Sequence, residues 1–112
     1  MSAAGVQRFH EQLNAGRYEE IWDGGDEVFR AAGNQQEFSQ LLAAVHRKLG
    51  NAGPASLSNL HVNATTNGTF IIAVYSTQFD RGPAVETFTW KKHGDEAKLC
   101  GYNIQSNLLV LN

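Results

Sequence analysis

The run Thr69-Phe70-Ile71-Ile72-Ala73-Val74-Tyr75-Ser76-Thr77-Gln78-Phe79 is rich in β-branched and aromatic residues and is closed at both ends by turn signals. Asn67-Gly68 precedes it, a two-residue hairpin signal that asks for positive φ at both central positions. Asp80-Arg81-Gly82-Pro83 follows it as a second turn. The run is therefore the second strand of a meander. Before it, Leu60, Val62 and Ala64 alternate with polar residues and predict the first strand, with 51–55 as a loop. After it, Ala84 to Lys92 predicts strand three, His93-Gly94-Asp95-Glu96 a turn, and Ala97 to about Ser106 strand four. Short connections make sequential strands neighbours, so the second half reads as a four-stranded antiparallel meander.

The second strand is apolar on both faces. Phe70, Ile72 and Val74 share one side, and Ile71, Ala73, Tyr75 and Phe79 the other. A half-exposed antiparallel strand alternates more cleanly, so the second face calls for a cover. The apolar tail Leu108-Leu109-Val110-Leu111, within a segment 106–112 read as an interaction segment, is one cover; a second subunit in a homodimer is the other. Strand three sets Glu86 on one face with Phe88 and Trp90, opposite Val85, Thr87 and Thr89. With the aromatic face inward, Glu86 lies at or near a cavity, where desolvation would raise a carboxyl pKa. It would then serve as a general base or ligand anchor. The plainer expectation is a strand-end Glu that reaches solvent or pairs with a basic neighbour such as Arg81.

Upstream, the period changes to that of helices. Val6, Phe9 and Leu13 sit at helical spacing, with Gln7, Arg8, Glu11 and Gln12 on the other face, and Asn14-Ala15-Gly16 ends the helix. A short helix runs from about Arg17 to Asp23, with Tyr18, Ile21 and Trp22 apolar-side, and Gly24-Gly25 breaks it. Asp26 caps a further turn or two through Ala31. Asn34 with Glu37 reads as a capping box for a third, longer helix bearing Phe38, Leu41, Leu42, Val45 and Leu49, which Gly50 and Pro54 stop. Helices segregated onto one face of an antiparallel sheet make an α+β fold in a single domain, 1–112. A sheet curled round the long helix gives a cone with an open end, where pockets form.

Composition narrows the function. Of 112 residues, 27 are Val, Ile, Leu or Phe, about 24%, enough for one core. Nine basic side chains against eleven acidic ones leave a net charge of -2, which argues against nucleic-acid and anionic-membrane partners. Cys100 is the only cysteine, so there is no internal disulfide and no thiol-based zinc site. No apolar run approaches the ~18 residues of a membrane span. His10, His46, His61 and His93 show no helical i, i+4 metal pairing, and no Gly-x-Ser-x-Gly elbow is present. A metal, cofactor or nucleophile is therefore not expected. Trp22, Tyr75, Trp90 and Tyr102, aromatic bodies with polar tips, form with Glu86 the candidate pocket for a small apolar ligand, and the plainer expectation is that most of these aromatics are core residues.

Several segments, taken in order, resemble a bacterial family, domain of unknown function family 4019. They are Asn14-Ala15-Gly16-Arg17-Tyr18 through Trp22, Phe29, Arg47-Lys48-Leu49-Gly50, Gly68-Thr69-Phe70 through Phe79, Ala84-Val85-Glu86-Thr87 and Gly101-Tyr102-Asn103-Ile104. Ala97 and Phe38 stand where that family often has Trp. The resemblance covers about residues 6 to 105. It implies a cystatin-like or nuclear-transport-factor-2-like cone and a bacterial source, often with an export signal. A periplasmic or secreted location is expected, with a cytoplasmic one as the alternative. It implies no activity. The expected function is a non-enzymatic small-ligand or protein-binding module. The alternatives are a cone-fold enzyme resembling ketosteroid isomerase or scytalone dehydratase, with Glu86 and Tyr75 or Tyr102, and an assembly protein acting through its apolar tail.

Overall fold

The computed structural model describes the backbone of residues 2–106 and the side chains of 4–106. Four helices come first, α1 (Ser2–Asn14), α2 (Tyr18–Asp23), α3 (Glu27–Ala32) and α4 (Gln35–Leu49). Four strands follow, β1 (Ala52–Thr65), β2 (Gly68–Phe79), β3 (Gly82–His93) and β4 (Glu96–Gln105), in a single antiparallel sheet of order β1-β2-β3-β4. The α+β meander expected from the sequence is the observed one. The Cα radius of gyration is 13.5 Å. No helix among the described residues is long and apolar enough to cross a membrane. The tail 107–112, with Leu108–Leu111, lies outside the described residues.

The caps act as their residue types require. The Asp26 carboxylate accepts from the Val28 N–H at 2.9 Å, and the Asn34 side chain accepts from the Glu37 N–H at 3.1 Å. Gly50 ends α4 at φ 85, a conformation that would strain any side chain.

Two expectations change. Residues 51–55 are not a loop, because β1 starts at Ala52, with Ala52 opposite Phe79 and Ala55 opposite Thr77. The reason is a side chain. Asn14, at the end of α1, takes the Ala52 N–H on Oδ1 (2.7 Å) and donates Nδ2–H to the Ala52 carbonyl (3.0 Å), as a neighbouring strand would. The first hairpin is also displaced by one residue. Thr65 pairs with Gly68, so Thr66-Asn67 forms the turn. Neither turn residue has positive φ; Gly68 does, at 132, and Thr65 Oγ1 accepts from the Asn67 N–H.

The core lies between the helices and the concave face of the sheet. Val6, Phe9 and Leu13 of α1 and Leu42, Val45 and Leu49 of α4 meet Ala73, Tyr75 and Phe79 of β2 and Phe88 and Trp90 of β3. The alternation read for strand three holds, with Ala84, Glu86, Phe88 and Trp90 buried in turn. On the convex face Phe70, Ile72 and Val74 are half-buried.

Candidate functional site

Glu86 is the only charged side chain among the largest fully buried ones, and it has no exposed surface. Strand parity places it there, on the row of Phe88 and Trp90. A bare carboxylate in that core would cost several kcal/mol, so it must be hydrogen-bonded. Three elements supply the donors. Thr77 Oγ1 of β2 donates to Oε1 at 2.6 Å. His10 Nε2 of α1 lies 2.7 Å from the same oxygen. The Tyr102 hydroxyl of β4 donates to Oε2 at 2.5 Å. Burial, then the Glu86 charge and this hydrogen bond, push the Tyr102 phenol well above its ordinary 10.0, so it stays a proton donor.

Neither the solvent-reaching Glu86 nor a pairing with Arg81 occurs; Glu86 bonds His10, Thr77 and Tyr102 instead. Two of these three partners were missed from sequence, though each had a signal. His10 completes the stripe Val6, Phe9, His10, Leu13 at i, i+3, i+4, i+7. Thr77 shares the inward parity of Ala73, Tyr75 and Phe79.

His10 also borders open space. A cleft of about 370 Å3 lies between α1 and the beginning of β1, lined by Val6, Gln7, His10, Glu11, Asn14 and Tyr75 with Ala52, Gly53 and Ala55. The His10 ring uses Nε2 for Glu86, and its second nitrogen has no hydrogen bond among the described residues. The Tyr75 hydroxyl has none either, although Tyr75 sits directly across from Glu86 in the β2–β3 register.

The remaining candidates go elsewhere. Trp90 stacks on Phe88 (centroids 5.8 Å apart) and lines a separate cavity of about 140 Å3 with Arg8, Gln12 and Glu20. Its buried Nε1–H has no partner among the described residues. Trp22 joins a different aromatic cluster with Phe29 and Phe38, at 5.1 and 5.7 Å. The structure therefore gathers Glu86 and Tyr102 in one network, with Tyr75 at the neighbouring cleft, and leaves Trp22 and Trp90 apart.

A second carboxylate–histidine pair lies on the β4 side. Asp26, 2% exposed, meets His93 Nε2 through Oδ1 and caps α3 through Oδ2. Burial opposes its ionisation, but the Val28 N–H, His93 and Lys91 outweigh burial and hold the carboxyl below its ordinary 3.8. Burial and the Asp26 charge push the Cys100 thiol up, which keeps it protonated. Among the described residues no three His, Cys, Asp or Glu side chains gather as a metal site would require.

The comparisons with known proteins agree with this fold. The model of the family described as "Protein of unknown function (DUF4019)" matches residues 5–102. No curated protein matches the chain. Among solved structures it is similar to the Bdellovibrio bacteriovorus protein Bd1075, with 15% sequence identity and a TM-score of 0.55. That match covers 94% of this chain and 40% of the other, so the chain spans about two-fifths of its solved neighbour. At that identity the likeness concerns the fold alone. The chain belongs to the DUF4019 family.

Proposed function

We propose, from the premise of DUF4019 membership, that this protein is a small-ligand-binding module whose ligand lies in the cleft between α1 and the start of β1. One observation carries the reading: the cleft holds two polar groups, the second nitrogen of His10 and the Tyr75 hydroxyl, that the described residues leave unbonded. Neither atom is among the buried unpartnered ones, so both are accessible to a hydrogen-bonding group of a molecule in the cleft. The volume, about 370 Å3, lies near the lower end of small-molecule sites, roughly 300–1,000 Å3. No Lys or Arg lines the cleft, while Glu11 does. That lining favours an uncharged or cationic ligand with an apolar body and one or two hydroxyl, carbonyl or amine groups.

Glu86 is a poor candidate for the proton-abstracting base of a cone-fold isomerase. It has no exposed surface and already accepts three hydrogen bonds. The same geometry does favour one enzymatic second reading, in which Glu86 orients His10 and His10 faces the substrate.

Native mass spectrometry of the purified protein, followed by titration with whatever copurifies, tests the first reading. His10→Gln and Tyr75→Phe, each folded by circular dichroism, are expected to weaken binding at least tenfold, about 1.4 kcal/mol. Unchanged affinity in both would remove the cleft as the site. Conversion of the bound compound over time, abolished in His10→Gln, would replace the binding reading with the enzymatic one.

A further inference from the structure

The two edges of the sheet are treated differently. The β4 edge carries Glu96 and Lys98, and the start of α3 closes on it, the Asp26 N–H donating to the Leu99 carbonyl at 2.8 Å. Those are the ordinary ways of preventing an edge from pairing with another chain. Over Asn59–Thr65 the β1 edge has neither among the described residues, and its Pro54 and two irregularities, which also discourage pairing, lie ahead of that stretch. Ala52–Thr65 contains no Asp, Glu, Lys or Arg in its 14 residues, and every residue from 56 onward is exposed. Beyond the Asn14 clamp at Ala52, no side chain of another described element hydrogen-bonds to the strand, and its own Ser58 and Thr65 hydroxyls donate to the Val74 and Gly68 carbonyls of β2.

The exposed apolar side chains of this strand lie in one row. Leu57, Leu60 and Val62 are 49%, 48% and 57% exposed. Their register partners are Tyr75, Ala73 and Ile71, all on the concave side of β2. The irregularity between Leu57 and Asn59 is what makes this possible. It inserts one residue, so Leu57 and Leu60, at odd spacing, face the same way.

We infer that the β1 edge is the self-association surface of this protein, with the strands of two copies pairing antiparallel about a two-fold near His61. Such an interface is isologous, so the edge must tolerate meeting itself. A charge-free strand does, because no like charges come opposite each other. About that axis Leu60 of one copy faces Val62 of the other, and the two concave apolar rows become one. The pairing uses the regular part of β1 on both sides of His61, Asn59–Asn63, and stops at the irregularity. The backbone at 52–55 and its cleft stay open, so this inference stands independently of the ligand-binding reading. The interface is small, at or below the ~1,200 Å2 that marks the low end of stable pairs, so the dimer is concentration-dependent.

Sedimentation equilibrium on the full chain, from roughly 5 to 500 µM, covers the affinities such an interface gives. The mass is expected to rise from 12.3 kDa toward twice that value. Amide exchange at 59–63 should slow over the same range. Leu60→Lys/Val62→Lys, at exposed positions, should hold the mass at the monomer value with an unchanged circular dichroism spectrum. Leu109→Lys should leave the doubling intact. A wild-type chain that stays monomeric throughout overturns the inference. So does doubling without slower exchange on β1, doubling that survives the paired lysines, or doubling that Leu109→Lys abolishes.

Discussion

The molecule contains two carboxylate–histidine pairs, and they differ in almost everything except their chemistry. Glu86–His10 is enclosed on both sides, with side chains 0% and 9% exposed. Asp26–His93 is enclosed on one side only, Asp26 at 3% and His93 at 41%. Glu86 has no backbone partner and depends on three side chains from three elements. Asp26 is anchored by the backbone N–H that it caps. The contrast teaches that burial of the acceptor alone does not set the weight of such a pair. What matters is whether water can replace a lost partner. Around Glu86 it cannot; at His93 it can.

The sharpest way to break the comparison is to remove the enclosed acceptor. Glu86→Ala strands the donors of His10, Thr77 and Tyr102 in the core and should cost about 3–5 kcal/mol in denaturant-unfolding stability. A loss under ~1 kcal/mol would mean that water reaches the network. Tyr102→Phe deletes one charge-assisted bond and keeps the ring contacts with Phe9 and Phe88, so it should cost less, about 1.5–3 kcal/mol. Asp26→Asn comes next, at about 1 kcal/mol, because the amide oxygen can still cap α3.

Asp26 also makes the comparison visible in acid. Its carboxyl titrates lower in the folded protein than its ordinary 3.8. The unfolded state therefore binds the proton first as the pH falls. The stabilisation is complete above that ordinary value and disappears as the pH drops through the folded one. Thermal unfolding of wild type and Asp26→Asn should accordingly differ at neutral pH and converge below 3.8. Curves that stay parallel into the acid range would show that Asp26 acts through its shape.

How much of this was legible beforehand follows from the same distinction. Local patterns carried the sheet order, the parity of Glu86, Phe88 and Trp90, and the caps at Asp26 and Asn34. Each depends on residues only a few positions apart. The partners of Glu86 did not emerge, because His10 lies 76 residues away and Thr77 nine, across a turn. The start of β1 was hidden for a similar reason. Pro54 and Gly53 read as loop residues, while the Asn14 side chain that makes Ala52 a strand residue belongs to another element. Trp22 and Trp90 looked like pocket residues because aromatic type was visible and three-dimensional neighbourhood was not. The fold sets them apart, Trp22 against Phe29 and Phe38, and Trp90 against Phe88 where it lines a separate cavity.

The smallest expected effect probes the comparison most directly. His93→Ala removes the exposed partner of Asp26, and water takes its place. Because His93 is 41% exposed, screening leaves the pair at most about 1 kcal/mol, and added salt should reduce even that. His10→Ala removes the enclosed partner of Glu86 and opens a space beside a carboxylate that keeps only Thr77 and Tyr102. Its cost should exceed that of His93→Ala severalfold and should respond little to salt. If the two alanine variants lose equal stability, or if salt acts on both alike, enclosure is not what separates the pairs. The cleft beside His10 would then be admitting water as far as Glu86.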